Sequence, residues 1–302
     1  MKDIIIIGAG AAGITAAIYA ARANMDFEII SKDVGGLTLW SPDIENYTGF
    51  HDLSGMELVE KFREHMEQHD IDVKEDEVEK VEKKDSNFIV KTKKGEEFDT
   101  RSVIVASGSS PRKLDVPGAD KLEGKGLAYC ATCDGPLFSG KDVAVIGGGN
   151  SALSSAETLL NIAEKIYIIN INDELTGTDK ERIDKVTKDE KVEVINKADV
   201  KEIIGDDLVK GLKYEKDGEE KTIDVEGVFV EIGHIRNIDM VKELVDLNKN
   251  NEIKVDKSCS TSQEGIFAAG DITDMPGKQT IIAAGDGSRA LLSAFSYVSK
   301  KR

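Results

Sequence analysis

The stretch Ile4-Ile5-Ile6-Ile7-Gly8-Ala9-Gly10-Ala11-Ala12-Gly13 decides the fold. A short run of β-branched residues reads as a buried strand, and the glycine spacing after it reads as a tight turn into a helix. Glycines at those positions let the backbone approach a phosphate pair, which then sits on the free N–H groups of the helix start. An alanine-rich helix to about residue 23 and a second strand at 27–30 complete the unit. The pattern predicts dinucleotide binding, with a merely tight turn as the plain alternative.

Outward from that stretch the chain repeats itself. The first copy runs on through a long loop, an amphipathic helix near 56–69, short β runs around 78–81, 88–90 and 97–98, and a strand at 103–106. The second copy opens with a strand at 143–146, turns at Gly147-Gly148-Gly149-Asn150-Ser151-Ala152, and continues as a helix to about 163 and a strand at 166–169. Short β runs near 192–195, 200–204 and 212–214 lead to a strand at 228–232. A strand–glycine loop–helix–meander unit met twice indicates a duplicated nucleotide-binding fold. The closing segment from 266 has no counterpart in the second copy and is expected to complete the first. The expected class is therefore α/β, with two Rossmann-like (three-layer ββα) dinucleotide-binding domains, the second inserted in the first. The boundaries read as 1–112 with 244–302 for the first domain and 113–243 for the second.

The 302 residues suit two domains of ordinary size, and 40% hydrophobic residues are enough for real cores. A net charge of −17 argues against nucleic acid, whose phosphates need a basic footprint. No stretch approaches a membrane span, and the first residues lack the pattern of a secretory leader, so a soluble cytoplasmic protein is expected. The charged run 80–94 alternates with hydrophobic residues and reads as the solvated faces of a meander.

Between the two glycine fingerprints lies Tyr129-Cys130-Ala131-Thr132-Cys133-Asp134-Gly135-Pro136. Three cysteines in all are too few for a structural disulfide framework. Two residues between thiols allow a small disulfide ring, and the same spacing can lower one thiol's pKa toward neutrality. The readings are a redox pair, half of a zinc site, or two inert buried thiols. No second Cys/His pair has ligand spacing and the four histidines are scattered, which argues against a metal. Cys259 reads as a packed core thiol.

Several motifs taken in order form a specific signature. They are Gly8-x-Gly10-x-x-Gly13, Glu45-Asn46-Tyr47, Cys130-Ala131-Thr132-Cys133-Asp134-Gly135-Pro136-Leu137-Phe138, the 147–152 loop, Gly265-x-Phe267-Ala268-Ala269-Gly270-Asp271 and Lys278-Gln279-Thr280. Over essentially its whole length the chain resembles the low-molecular-weight thioredoxin reductases. It is also similar to the flavoprotein of bacterial alkyl hydroperoxide reductase, without that protein's thioredoxin-like N-terminal extension. The resemblance implies FAD bound at its pyrophosphate through Gly8, Gly10, Ala11, Ala12 and Gly13. Gly36, Leu37 and Asn46, then Gly270, Asp271, Gln279 and Thr280, would surround the flavin side. Leu37 stands where the family commonly has glutamine, which removes a polar contact near the ring. The dithiol's roles follow from the same resemblance. Cys133 would lie against the flavin, Cys130 would attack a thioredoxin disulfide, and Asp134 would serve as general acid/base for the departing thiolate. It further implies a flavin-dependent protein-disulfide oxidoreductase, a thioredoxin or thioredoxin-like partner and a homodimer. The second domain would rotate on linkers near 112–118 and 233–243.

By the same resemblance Gly147, Gly149, Asn150, Ser151 and Ala152 belong to the pyridine-nucleotide site, and here the chain departs from the family. NADPH-dependent relatives carry His-Arg-Arg after the second strand; this chain has Asn170-Ile171-Asn172-Asp173-Glu174-Leu175-Thr176, without a cation. A 2′-phosphate beside Asp173 and Glu174 would meet repulsion rather than a bidentate clamp. Asn170 offers a hydrogen bond to a ribose hydroxyl, which favours NADH over NADPH. Ser154-Ser155 stands in place of the family's Glu-Glu, one of which helps place the nicotinamide. These departures leave two donors open beside NADH and NADPH: ferredoxin and a reduced deazaflavin. A flavin redox sensor without turnover is the remaining alternative, and the intact Cys130, Cys133 and Asp134 favour turnover over it.

Overall fold

The computed structural model describes residues 1–41, 44–51 and 53–301. The chain divides into two compact units, Met1–Ser110 with Arg236–Arg302 and, between them in sequence, Pro111–Ile235.

In the first unit β1 (Lys2–Ala9) is central, with Ile4, Ile5 and Ile6 fully buried. A strand covered on both faces needs a continuous apolar run rather than alternation, which is what its sequence supplies. The chain then forms α1 (Ala11–Arg22), β2 (Phe27–Val34) and α2 (Gly55–Glu67), whose start is closed by a reciprocal Ser54–Glu57 capping box. Next come β3 (Val73–Glu75), β4 (Val78–Lys84), β5 (Asn87–Thr92) and β6 (Glu97–Val105). The sheet order is β3-β2-β1-β6-β5-β4. β6 is one strand where two separate runs were expected from the sequence. Its first half pairs antiparallel with β5 and its second half parallel with β1, so a single strand serves both the meander and the central sheet.

The chain leaves this unit along β7 (Ser109–Pro111). The second unit contains α3 (Ala119–Leu122), β8 (Leu127–Ala128), α4 (Ala131–Asp134), β9 (Asp142–Ile146), α5 (Asn150–Leu159), β10 (Lys165–Asn170), α6 (Lys180–Thr187) and β11 (Val192–Asn196). An antiparallel meander follows as β12 (Ala198–Gly205), β13 (Val209–Lys216) and β14 (Glu219–Ile223), and β15 (Gly227–Val230) closes the unit. Its main sheet is wholly parallel, in the order β11-β10-β9-β15-β8.

The return runs through β16 (His234–Arg236). The chain rejoins the first unit at Arg236, ahead of the boundary at 244 read from the sequence. Ile238, Val241 and Val245 explain the difference, being buried in a first-unit cluster with Val81 and Ile253. β17 (Ile266–Ala268) then pairs with β6, and α7 (Thr280–Lys301) packs on α1. That approach is close enough that a Cβ on Gly287 would lie 2.0 Å from the Ala12 carbonyl oxygen. No helix among the described residues is long and apolar enough to cross a membrane.

Candidate functional site

Leaving β8, the chain stays extended at Cys130 (φ −141°, ψ 100°) and then coils into α4, which the 3-10 turn Gly135–Phe138 continues. Two anchors fix this corner. Ala131 is buried, and the Phe138 ring packs edge-on against Phe229 with 5.4 Å between centroids. Gly227 makes room for it, since a Cβ there would come within 2.6 Å of the Phe138 ring.

Cys130 and Cys133 form a disulfide with Cα atoms 5.3 Å apart. The two sulfurs are not equivalent. Cys133 is exposed, whereas Cys130 retains 7% exposure. The Cys133 N–H donates to Cys130 Sγ at 3.1 Å, so Cys130 caps α4 with its sulfur. A donor aimed at that atom favours negative charge there once the bond opens. Burial pushes the Asp134 carboxyl above the ordinary aspartate range, placing a weak acid next in sequence to the exposed sulfur. The arrangement suits electron entry at Cys133 with Cys130 as the stabilised leaving thiolate.

In the first unit the predicted phosphate residues come together. α1 begins after Gly10 with no side-chain cap and no acid in its first turn, so its leading N–H groups are suited to an anion. Gly8 and Gly13 serve packing: a Cβ on Gly13 would lie 1.8 Å from the Gly8 oxygen, and one on Gly8 2.4 Å from the Ala106 oxygen. Gly10 differs. A Cβ there would have the Gly35 oxygen, at 4.0 Å, as its near neighbour, so the space beside it is open. A Cβ on Gly36 would lie 3.7 Å from Gly10 Cα, and one on Gly270 3.3 Å from Ala12 Cβ. Asn46 Nδ2 donates to Gln279 Oε1 at 2.9 Å, joining two of the predicted flavin-side residues. Leu37 lies in the turn Gly36–Trp40, Asp271 in the turn Gly270–Ile272, and Thr280 opens α7. An uncapped helix start above a floor of glycine backbone fits the pyrophosphate of a dinucleotide such as FAD.

The second fingerprint has the same backbone and a different fate. Gly149 precedes α5, again without a side-chain cap. Here the segment after β10 folds back onto the loop. Thr176 N donates to the Gly148 oxygen at 2.7 Å, Thr178 N to Asn150 Oδ1 at 2.8 Å, and Asn150 Nδ2 to Thr178 Oγ1 at 3.1 Å. Gly177 lies so close that a Cβ would be 2.2 Å from Leu153 Cδ1.

Asn170, read from the sequence as a ribose contact, is fully buried instead. Its Nδ2 donates to the Asn172 and Glu174 carbonyls and to Asn196 Oδ1, and its Oδ1 accepts the Asn172 N–H. A side chain engaged in this way holds its own loop and offers nothing to a ribose. The Ser154-Ser155 departure also has a partner that the sequence did not reveal: the Ser155 hydroxyl donates to Glu231 Oε1. Burial pushes the Glu231 carboxyl above the ordinary range, with the Ser155 bond acting against it. As arranged, Asn170 gives no ribose contact, while the uncapped start of α5 keeps the N–H groups that a dinucleotide's pyrophosphate uses.

Comparison with known proteins agrees with this architecture. The model of the pyridine nucleotide-disulphide oxidoreductases matches residues 2–287. The F subunit of Staphylococcus aureus alkyl hydroperoxide reductase is 38% identical over 299 residues, 98% of this chain but 59% of that protein. The chain thus spans about three-fifths of the length of this curated relative. Among solved structures, the thioredoxin reductase of Lactococcus lactis superposes with a TM-score of 0.90 at 32% identity, over 99% of this chain and 100% of that one. A ferredoxin-flavin thioredoxin reductase of Clostridium acetobutylicum is 36% identical over 99% and 98% of the two chains, with a TM-score of 0.56. With a match from the first strand into the last helix, this chain belongs to the pyridine nucleotide-disulphide oxidoreductase family.

Proposed function

We propose that this chain is an FAD-dependent protein-disulfide reductase of the thioredoxin reductase type, delivering electrons to thioredoxin or a thioredoxin-like protein. The observation that carries the reading is the Cys130–Cys133 disulfide itself, with one sulfur exposed, an N–H on the other, and the raised-pKa Asp134 adjacent. FAD bound over Gly8, Gly10, Ala11, Ala12 and Gly13, with Gly36, Leu37, Asn46, Gly270, Asp271, Gln279 and Thr280 on its flavin side, would supply two electrons. The chain's own residues do the rest. Electrons arriving at Cys133 break the S–S bond, Cys130 departs as a thiolate held by the Cys133 N–H, and Asp134 manages the proton. Cys130 then attacks the partner's disulfide, and the sulfur expelled from the partner is protonated. Attack by Cys133 on the mixed disulfide releases the reduced partner and restores the Cys130–Cys133 bond.

Thioredoxin as partner is supported by the names of the similar structures, and a homodimer working in a reducing cytoplasm suits the same chemistry. The test is to reduce the FAD-loaded protein chemically and follow thioredoxin thiols. Parent protein should produce them and Cys130→Ser should not, while keeping its flavin; equal rates would end the reading.

The Thr176–Thr178 fold-back and the buried Asn170 favour a second reading of the donor. Electrons would then enter from ferredoxin or a reduced deazaflavin rather than from NADH or NADPH. Anaerobic stopped-flow bleaching of the flavin with each donor in turn decides it, and rapid bleaching by NADH or NADPH would remove this reading.

A further inference from the structure

Arg236 is where the chain re-enters the first unit, and Lys278 directly precedes Gln279. One carboxylate holds both. Glu252 Oε1 lies 3.2 Å from an Arg236 guanidinium nitrogen and 3.4 Å from Lys278 Nζ. Its other oxygen accepts Asn248 Nδ2 at 2.8 Å, and its backbone N–H donates to Asn248 Oδ1 at 3.0 Å. The Glu252 side chain is 12% exposed, against 21% for Arg236 and 30% for Lys278, so none of the three is a loose surface group.

The surrounding backbone points the same way. Ile253 N donates to the Ile272 oxygen and Asp274 N to the Ile253 oxygen, which fastens the segment bearing Glu252 to the one leading from Asp271 toward Gln279. Lys278 Nζ closes that segment by donating to the Thr273 carbonyl. On the other side, Asn237 follows Arg236 and takes hold of the outgoing chain. Its N–H donates to the Gly108 oxygen, its Nδ2 to the Ser107 oxygen, and its Oδ1 accepts the Ser110 hydroxyl. Burial alone would raise the Glu252 pKa, but the bonds from Asn248, Arg236 and Lys278 hold it below the ordinary glutamate range. The carboxylate therefore stays charged and paired through neutral pH.

We propose that Glu252 is a positioning residue, tying the re-entry point at Arg236 to the 273–279 loop that carries Gln279, the partner of Asn46. Its effect on the cofactor rests on the FAD reading above; the tie itself does not. Two charged groups share one carboxylate, so removing the charge releases both segments together, whereas removing either cation releases one.

Hydrogen–deuterium exchange on the full chain, with and without FAD, tests this using Glu252→Gln and, as the gentler change, Lys278→Met. In Glu252→Gln, amides of 236–238 and of 273–279 should exchange about ten- to a hundredfold faster, as expected for loss of charge-assisted bonds in a local opening. In Lys278→Met only the 273–279 amides should quicken. FAD titrated by fluorescence should bind Glu252→Gln more weakly by about two- to thirtyfold, the usual reach of a coupling residue. Faster exchange in only one segment of Glu252→Gln, or spread through β1 and α1, would overturn the tie. Unchanged FAD affinity would overturn its positioning role. A parent chain that takes up no FAD would refute the functional reading instead, and the exchange data would still decide the tie.

Discussion

At the scale of single residues, the site distinguishes its two sulfurs by environment, and this gives each a separate test. Cys130 is buried and receives an N–H, while Cys133 is exposed. After chemical reduction, Cys130→Ser should hold FAD yet form no mixed disulfide with thioredoxin. Cys133→Ser should trap that mixed disulfide, because the resolving thiol is gone. Asp134 carries a sign that can be checked. Burial raises its pKa, so the protonated acid persists to higher pH than in an ordinary aspartate. Partner reduction limited by proton delivery should therefore decline as pH rises through that raised value. Asp134→Asn should erase the limb and slow turnover by about 10²- to 10⁴-fold, the usual worth of a placed acid. Glu231 gives a stability counterpart. A carboxyl whose folded pKa is raised contributes fully below its unfolded pKa, and the contribution is lost as pH rises through the folded value. Glu231→Gln, still able to accept from Ser155, should lack that loss. Urea titrations at rising pH should then show the variant gaining on the parent; a gap independent of pH would contradict the assignment.

At the scale of elements, the two glycine loops show what a sequence reveals and what it hides. The run 4–13 announced β1, its turn and α1 correctly, because a wholly apolar strand followed by that spacing has few other uses. The closing segment was likewise legible as part of the first unit, its missing counterpart in the second copy being the clue. Asn170 was not. An asparagine at a strand end reads the same whether its amide faces a ribose or its own loop, and only the fold-back of residues 172–178 decides. The return at Arg236 was hidden because Ile238, Val241 and Val245, spaced like a helix face, sit in turns and irregular backbone rather than in a helix or strand, yet all three are buried. Within the first loop the glycines also separate by role, which yields a prediction. Gly13→Ala would force a Cβ to 1.8 Å from the Gly8 oxygen and should destabilise the fold by about 1–3 kcal/mol or more. Gly10 has φ −79° and open space beside it, so Gly10→Ala should leave the stability of the FAD-free chain within about 0.5 kcal/mol. On the FAD reading proposed above, its methyl group would nevertheless stand where the pyrophosphate would come close. FAD should bind Gly10→Ala poorly, and full retention of flavin would show that the cradle is not the phosphate site.

At the scale of the whole molecule, the dominant fact is a net charge of −17 on 302 residues. Such a field repels acidic proteins at long range and accelerates encounter with basic surfaces, and salt removes both effects. The Debye length falls from about 10 Å at 0.1 M salt to about 3 Å at 1 M. The sign of the salt effect on each half-reaction therefore reports the charge of the partner in that half. For a thioredoxin presenting a basic face, kcat/KM should fall as salt rises, while kcat, set after docking, should hold nearly constant. An acidic ferredoxin donor should behave in the opposite sense, its reduction of the flavin quickening with salt as repulsion is screened. A basic patch around the docking point would reverse that expectation, so flavin reduction by ferredoxin that slows with salt would reveal local complementarity against the global field. The same series also tests the partner assignment. A thioredoxin whose kcat/KM rises steadily with salt meets this protein against its field, and should yield to a better substrate whose rate falls.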